Sequence, residues 1–256
     1  MPDRVDYDGH QSAVYAKGRA LSPEAMAGWM AVFTRHAPPG RPLSVLDLGS
    51  GTGRFTPALA DTFGGPVYGV EPSAGMRNAA LELSAHPRVT YLQGAADAIP
   101  LPAASVDLVL LFLVWHHVPD KASAAAEIRR VLRPGGRVLL RGTFADRLPD
   151  SSWRIYFPRA PELDREIFPT AVQTQDQFAA AGLRRVELDV VQVPVAEDFS
   201  AYAERLRLRA SSIFEHLTET EIEEGFARLD ADVAAGGNPA FRPAEDGDLL
   251  VLESPV

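Results

Sequence analysis

Apolar positions recur along this chain in two alternating rhythms. Short runs rich in leucine and β-branched residues stand at 44–48, 67–71, 89–93, 106–112 and 137–142, and each reads as a buried strand. Between them, apolar residues fall at helical spacing over 55–63, 73–84 and 120–132. Strand and helix in strict alternation predict a parallel sheet covered by helices on both faces. Ahead of the first strand, Ser22 and Pro23 give a helix cap and an N1 proline. Met26, Trp29, Met30 and Phe33 then repeat at helical spacing until Pro38 and Pro39. Arg133, Pro134, Gly135 and Gly136 stop the helix over 120–132 and turn the chain into the fifth strand.

The pattern changes after residue 145. Phe178 to Gly182 closes another helix and Val186 to Val195 alternates as a strand. Tyr202, Leu206 and Ile213 predict one amphipathic helix. Thr218 with Glu221 forms a capping box for a second, which carries Ile222, Phe226, Leu229 and Val233. A Gly-Gly-Asn-Pro loop leads to a last strand at Leu249 to Leu252.

Length and composition narrow the picture. At 256 residues the chain accommodates one large α/β domain or two small ones. No internal repeat or low-complexity linker divides it, which favours one domain over 1–256. A net charge of −9 weighs against nucleic acid, which selects a basic footprint. With no cysteine, disulfides, thiolate nucleophiles and cysteine-rich zinc sites are excluded together, and no metal site is expected. The longest apolar run, Leu108 to Trp115, is too short to span a bilayer, and the first residues show no basic start followed by an apolar core. The expectation is a cytoplasmic protein, monomeric or homodimeric, that engages neither membrane nor nucleic acid.

The candidate chemistry lies in Ser44 to Leu59, SVLDLGSGTGRFTPAL: a strand, a turn at Gly49, Gly51 and Gly53, and a helix that opens at once. Glycines let the backbone approach a ligand, and the free N–H groups of the helix start point at it. Asp47 falls at the carboxyl end of the strand, where open α/β sheets bind ligands. A dinucleotide fingerprint places its third glycine one residue later, which argues against a pyrophosphate here. Glu71 ends the second strand about twenty residues on, where an acid typically accepts ribose hydroxyls. These features alone leave any Rossmann-like nucleotide domain open.

LDLGSGTGRF, YGVEPSAGM, QGAADAIPLPAASVDLVLL and RRVLRPGGRVLL follow one another at familiar distances. In these four motifs the chain resembles a class I methyltransferase dependent on S-adenosylmethionine (SAM), of the small-molecule, UbiE/methyltransferase type 11-like kind. The resemblance is strong over Ser44 to Arg141 and loose elsewhere. It implies a Rossmann-like seven-stranded sheet, mostly parallel with an antiparallel last strand, helices on both faces and a helical lid. The lid would comprise the N-terminal segment 1–36 and segments 145–170 and 198–240.

The resemblance also assigns roles. Gly49, Ser50, Gly51, Thr52 and Gly53 would hold the methionine end of SAM beside Asp47, and Glu71 the ribose. Pro72, Met76 and the backbone at Ala96 would line the adenine. Asp97 would take the adenine amino group, since Ala95 stands where many relatives carry that aspartate. Phe112 and Arg19 complete the cofactor set. FLVWHHV lies where the acceptor pocket opens, with His116 as the leading candidate base, His117 beside it, and Tyr15 as a second candidate. Tyr7, Arg141, Trp153 and Tyr156 are candidate substrate residues, although the aromatic residues of 153–168 equally suit burial of the lid. Arg205, Arg207 and Arg209 are expected in solvent. The implied activity moves a methyl group to O, N or C of a small molecule and releases S-adenosylhomocysteine. A SAM-binding enzyme of another reaction and a nicotinamide-dependent oxidoreductase are the alternatives.

Overall fold

The computed structural model describes residues 21–149, 151–209 and 211–256. Seven strands form one sheet in the order β3-β2-β1-β4-β5-β7-β6. β1 (Leu43–Leu48), β2 (Gly64–Glu71), β3 (Val89–Gln93), β4 (Val106–Phe112) and β5 (Leu132–Gly142) run parallel. β7 (Ala244–Glu253) lies antiparallel between β5 and β6 (Arg184–Pro194). The strand order reverses between β1 and β4. Their carboxyl tips therefore border a crevice, the place where ligands enter open α/β sheets.

Both faces of the central strands are buried, which is why these strands read as continuous apolar runs. Leu46, Val109, Val138, Leu140, Leu250 and Leu252 point to one face. There they pack on α4 (Lys121–Val131) and α6 (Ala171–Ala180), with Ile128 and Phe178 fully buried. Val45, Leu108, Leu110, Leu139, Leu249 and Val251 point to the other face. It is covered by α1 (Pro23–His36) through Trp29 and Phe33, and by α2 (Thr56–Phe63) through Leu59 and Phe63. α3 (Ala74–Leu83) packs against β2 and β3.

Capping follows the sequence. Ser22 Oγ accepts from Ala25 N at 3.2 Å, and Thr218 and Glu221 form the reciprocal box of α8 (Glu219–Ala234). A second box, Thr170 with Gln173, opens α6. Three expectations shift. β5 is longer at its start than expected: Arg133 to Gly136 lie inside it, and the pairing skips from Val106–Leu132 to Leu108–Arg137. β7 starts at Ala244, five positions before Leu249, because its polar opening residues pair with the edge strand β6. Ile213 does not continue α7 (Phe199–Arg207); it lies in a separate 3-10 turn, Ser212–Glu215.

Residues 152–167 and 199–234 build a cap with a core of its own, from α5 (Ala160–Ile167), α7, α8 and two 3-10 turns. Phe157 meets Phe214 and Phe226 edge-on at 5.1 and 5.5 Å, and Leu163, Leu217 and Leu229 fill the gaps. A buried ion pair, Arg154 Nη2 to Asp164 Oδ2 at 2.6 Å, ties the first 3-10 turn to α5. Cap and sheet are clasped at Glu245, whose carboxylate accepts from Ser151 Oγ at 2.7 Å and Ser152 N at 2.9 Å. Among the described residues no helix is long and apolar enough to cross a membrane.

Candidate active site

The loop after β1 is sewn to the tip of β2. Gly49 N and Ser50 N donate to the Val70 carbonyl at 2.8 and 3.2 Å. One residue further, the Glu71 carboxylate accepts from Gly51 N and from Ser73 N, each at 3.0 Å. Two backbone donors thus fix the Glu71 rotamer. Ser73 in turn caps α3, accepting from Met76 N at 3.1 Å.

The glycines of this loop have different tasks. Gly51 has φ +55°, and among the described residues nothing lies within 4 Å of where its Cβ would be. Gly53 has φ +77°, and a Cβ there would overlap Tyr91 Oη and lie 2.9 Å from Tyr91 Cζ and 2.7 Å from Ser84 Cβ. Gly51 is therefore the glycine with free space beside it, whereas Gly53 makes room for a tyrosine from β3. That tyrosine donates to the Ser84 carbonyl at 2.9 Å, and Ser84 Oγ donates to the Thr52 carbonyl at 2.9 Å. Gly53 thus also shapes the loop from behind, through its fit to Tyr91.

Asp47 is buried at the tip of β1, 3% exposed, and accepts from Thr56 Oγ1 at 2.7 Å. Burial pushes its carboxyl up to about 6; the Thr56 hydroxyl and the Arg54 charge oppose the rise, and Glu71 adds to it. Ser50 Oγ is buried and has no hydrogen-bond partner among the described residues. Such an orphaned hydroxyl beside a ready cradle calls for a polar ligand. The set fits SAM: two carboxylates on adjacent strand tips, an unsatisfied hydroxyl, and Gly51 facing free space.

On the expected adenine side, Met76 is buried, Pro72 and Asp97 are exposed, and Ala96 is half-buried in a turn closed by Ala98 N to Ala95 O at 3.1 Å. At the tip of β4, Leu113 adopts φ +58° and donates its N–H to the Arg141 carbonyl at 2.8 Å. A non-glycine residue held there marks a strained turn, a common property of functional tips. Trp115 is an anchor, stacked on Phe178 at 4.6 Å and donating Nε1–H to Gln177 at 3.1 Å. It turns the next two residues outward. His116 is half-buried, 3.9 Å from the His117 ring and edge-on to Phe168 at 4.7 Å; His117 is exposed. Phe112 lies edge-on to Trp29 at 4.8 Å.

The remaining candidates separate. The Arg141 guanidinium lies across Gly247, donates to the Gly142 carbonyl, and lines a cavity of about 330 Å³ with Asp146, Arg147 and Asp248. Tyr156 does not wall a pocket: it is 2% exposed in the cap core, with its hydroxyl donating to Asp232 at 2.7 Å and accepting from Asn238 at 3.1 Å. Trp153 likewise packs within the cap, against Phe157 and Phe214. Both rings thus belong to the cap's own core, the burial that the sequence equally allowed. Arg205 and Arg207 also have protein partners, the Val195 carbonyl at 2.6 Å and Asp230, and Arg209 faces Glu219 at 3.3 Å. Tyr7, Tyr15 and Arg19 lie outside the described residues. Sequence reasoning missed Thr56, Tyr91 and Arg54. Thr56 had a signal in its place at a helix start after the glycine turn; Tyr91 had none. Among the described residues no group of three or more histidines and carboxylates is placed to hold a metal.

Comparison with known proteins bears on these groups. A family described as "Methyltransferase domain" matches residues 46–140. The demethylmenaquinone methyltransferase of Lactococcus lactis is 33% identical over 169 residues, 57% of this chain and 67% of that one. An uncharacterised methyltransferase of Mycobacterium tuberculosis is 38% identical over 130 residues, 51% of this chain and 49% of its own length. The match thus spans about half of the mycobacterial relative. In structure, a protein described as a methyltransferase from an antibiotic biosynthesis pathway of Anabaena variabilis superposes with TM-score 0.73 at 24% identity, over 93% of this chain and 99% of that one. The shared fold includes the seven-stranded sheet with its antiparallel β7.

Proposed function

The chain belongs to the methyltransferase family, and from that premise we propose that it transfers a methyl group from SAM to O, N or C of a small-molecule acceptor, releasing S-adenosylhomocysteine. The observation that carries the proposal is the pair of acids on adjacent strand tips, Asp47 and Glu71, joined through a glycine loop that leaves space at Gly51. When bound, SAM supplies an electrophilic methyl on a sulfonium.

The chain's own residues position and desolvate. Glu71, oriented by Gly51 N and Ser73 N, is the acceptor for the ribose hydroxyls. Asp47 offers a buried acceptor to the ammonium of the methionine end, whose charge holds the carboxyl ionised. Ser50 Oγ gains a partner, and Met76 covers one adenine face beside Pro72, Ala96 and Asp97. Positioning and water exclusion supply most of the rate in such an in-line displacement. An acceptor that loses its proton needs a base, and His116, its ring set against Phe168, stands at the tip of β4 for that work. The reading keeps the expectation of a cytoplasmic enzyme, monomeric or homodimeric, within a single domain.

Calorimetric titration with SAM tests the site. Asp47→Ala and Glu71→Ala are each expected to weaken binding by at least about tenfold, the loss of one charge-assisted bond. Unchanged affinity in both variants, or no binding by the wild type, would sink the proposal. Mass spectrometry of SAM incubated with candidate metabolites identifies the acceptor through its added methyl group and the S-adenosylhomocysteine formed.

A further inference from the structure

Thr56, the first residue of α2, is fully buried, so its hydroxyl must find a partner inside the protein. That partner is Asp47, nine positions earlier, whose Oδ2 accepts from Thr56 Oγ1 at 2.7 Å. The backbone fixes the approach, since Thr56 N donates to the Gly53 carbonyl at 3.2 Å and ties the residue to the last glycine of the loop. Tyr91 of β3 closes the space behind. Its hydroxyl lies against both Gly53 and the Thr56 side chain and donates to the Ser84 carbonyl at 2.9 Å.

A hydroxyl that donates to a carboxylate favours its ionised form. At Asp47 it works against burial, which pushes the carboxyl up to about 6; the Arg54 charge helps the hydroxyl and the Glu71 charge opposes it. From β3 the site meets only the Tyr91 phenol, which burial holds above its ordinary value and so keeps neutral. We propose that Thr56 is a positioning residue of the cofactor site, its hydroxyl holding the Asp47 carboxylate ionised and oriented for an ammonium group. The proposal rests on the reading of SAM as cofactor, whose amino-acid end supplies that ammonium. Near pH 6 the empty site holds the Asp47 proton part of the time. Arrival of the ammonium ionises the carboxyl and sends its proton to solvent, so cofactor binding is linked to pH through a bond that Thr56 controls.

Wild type, Thr56→Val and Thr56→Ser are titrated calorimetrically with SAM from pH 5 to pH 8, in buffers of different ionisation enthalpy so that proton release is read directly. The wild type is expected to release about half a proton per SAM bound at pH 6. Thr56→Val keeps the side-chain shape without the donor, and the pH of half-release should rise by about one unit, the size of a lost bond to a charged group. Its affinity deficit against the wild type should then grow about tenfold between pH 8 and pH 5. Thr56→Ser restores the hydroxyl and should return both readings to the wild-type profile. A deficit in Thr56→Val that is the same at every pH, with proton release unmoved, marks a merely structural contact and overturns the proposal, as does an unaltered variant. A wild type that binds no SAM removes the functional reading. Carbon-detected NMR titration of Asp47 in the ligand-free proteins then decides Thr56: a midpoint raised in Thr56→Val and restored in Thr56→Ser supports its hold on the carboxylate, and an unmoved midpoint overturns it.

Discussion

Replacing Gly53 by alanine separates the shaping of the loop from its contact with ligand, because Gly51 provides an internal control. Both residues have positive φ, and alanine in the left-handed region costs about 1–2 kcal/mol at either position. At Gly51 the new methyl meets nothing within 4 Å among the described residues. At Gly53 it overlaps Tyr91 Oη, and Ser84 and the tyrosine ring cannot both withdraw, since each anchors the other. Overpacking of this kind adds about 1–3 kcal/mol. Urea unfolding of the ligand-free proteins should therefore show Gly53→Ala less stable than Gly51→Ala by about 1–3 kcal/mol, or roughly 2–4 °C in Tm per kcal/mol. SAM affinity should rank the other way, with Gly51→Ala the more impaired because its methyl fills the ligand's space. Tyr91→Phe removes the nearest clashing atom, so Gly53→Ala should cost about 1 kcal/mol less in that background. Equal destabilisation by the two alanines, with no coupling to Tyr91, would refute the division of labour.

Three further outcomes follow from buried charges and the β4 tip. A carboxyl whose folded pKa lies above its unfolded value costs stability at pH above both, and the cost fades as pH falls from about 6 to below 3.8. Asp47→Asn, which still accepts from Thr56, should therefore stabilise the ligand-free protein at pH 8 by up to about 3 kcal/mol and leave it unchanged near pH 3, read by denaturant unfolding at each pH. Arg154→Met strands Asp164 in the cap and should cost about 3–5 kcal/mol at neutral pH, seen as earlier proteolysis within 152–234. With an acceptor identified, His116→Gln should lower kcat and flatten the acid limb of its pH profile while SAM affinity stays near wild type. An unchanged profile would remove His116 from proton transfer.

The sequence made the inner sheet legible because β1 and β4 are apolar on both faces, so Val106 to Phe112 reads as one run with the observed ends. The acids Asp47 and Glu71 were legible too, since strand ends and glycine turns announce them locally. Other features depend on pairings that no local pattern carries. Tyr91 meets Gly53 across 38 positions, and its fit becomes visible only when β3 lies beside β2. Trp153 and Tyr156 announced burial but not against what, and the cap proved large enough to enclose them. Ile213 kept helical spacing, yet Arg209 turns to φ +49° and ends the run.

The clasp at Glu245 bears on how the molecule assembles. β5 ends at Gly142 and its neighbour β7 begins at Ala244, so about a hundred residues must loop back before the two strands pair. Collapse of the intervening helices on their own aromatic centre brings Ser151 and Ser152 to the threshold of β7. Shortening the effective tether from about a hundred residues to about ten lowers the closure penalty by roughly 2 kcal/mol. The helical excursion thus acts as a folding staple, and a lesion within it is expected to slow the registration of β7 on β5.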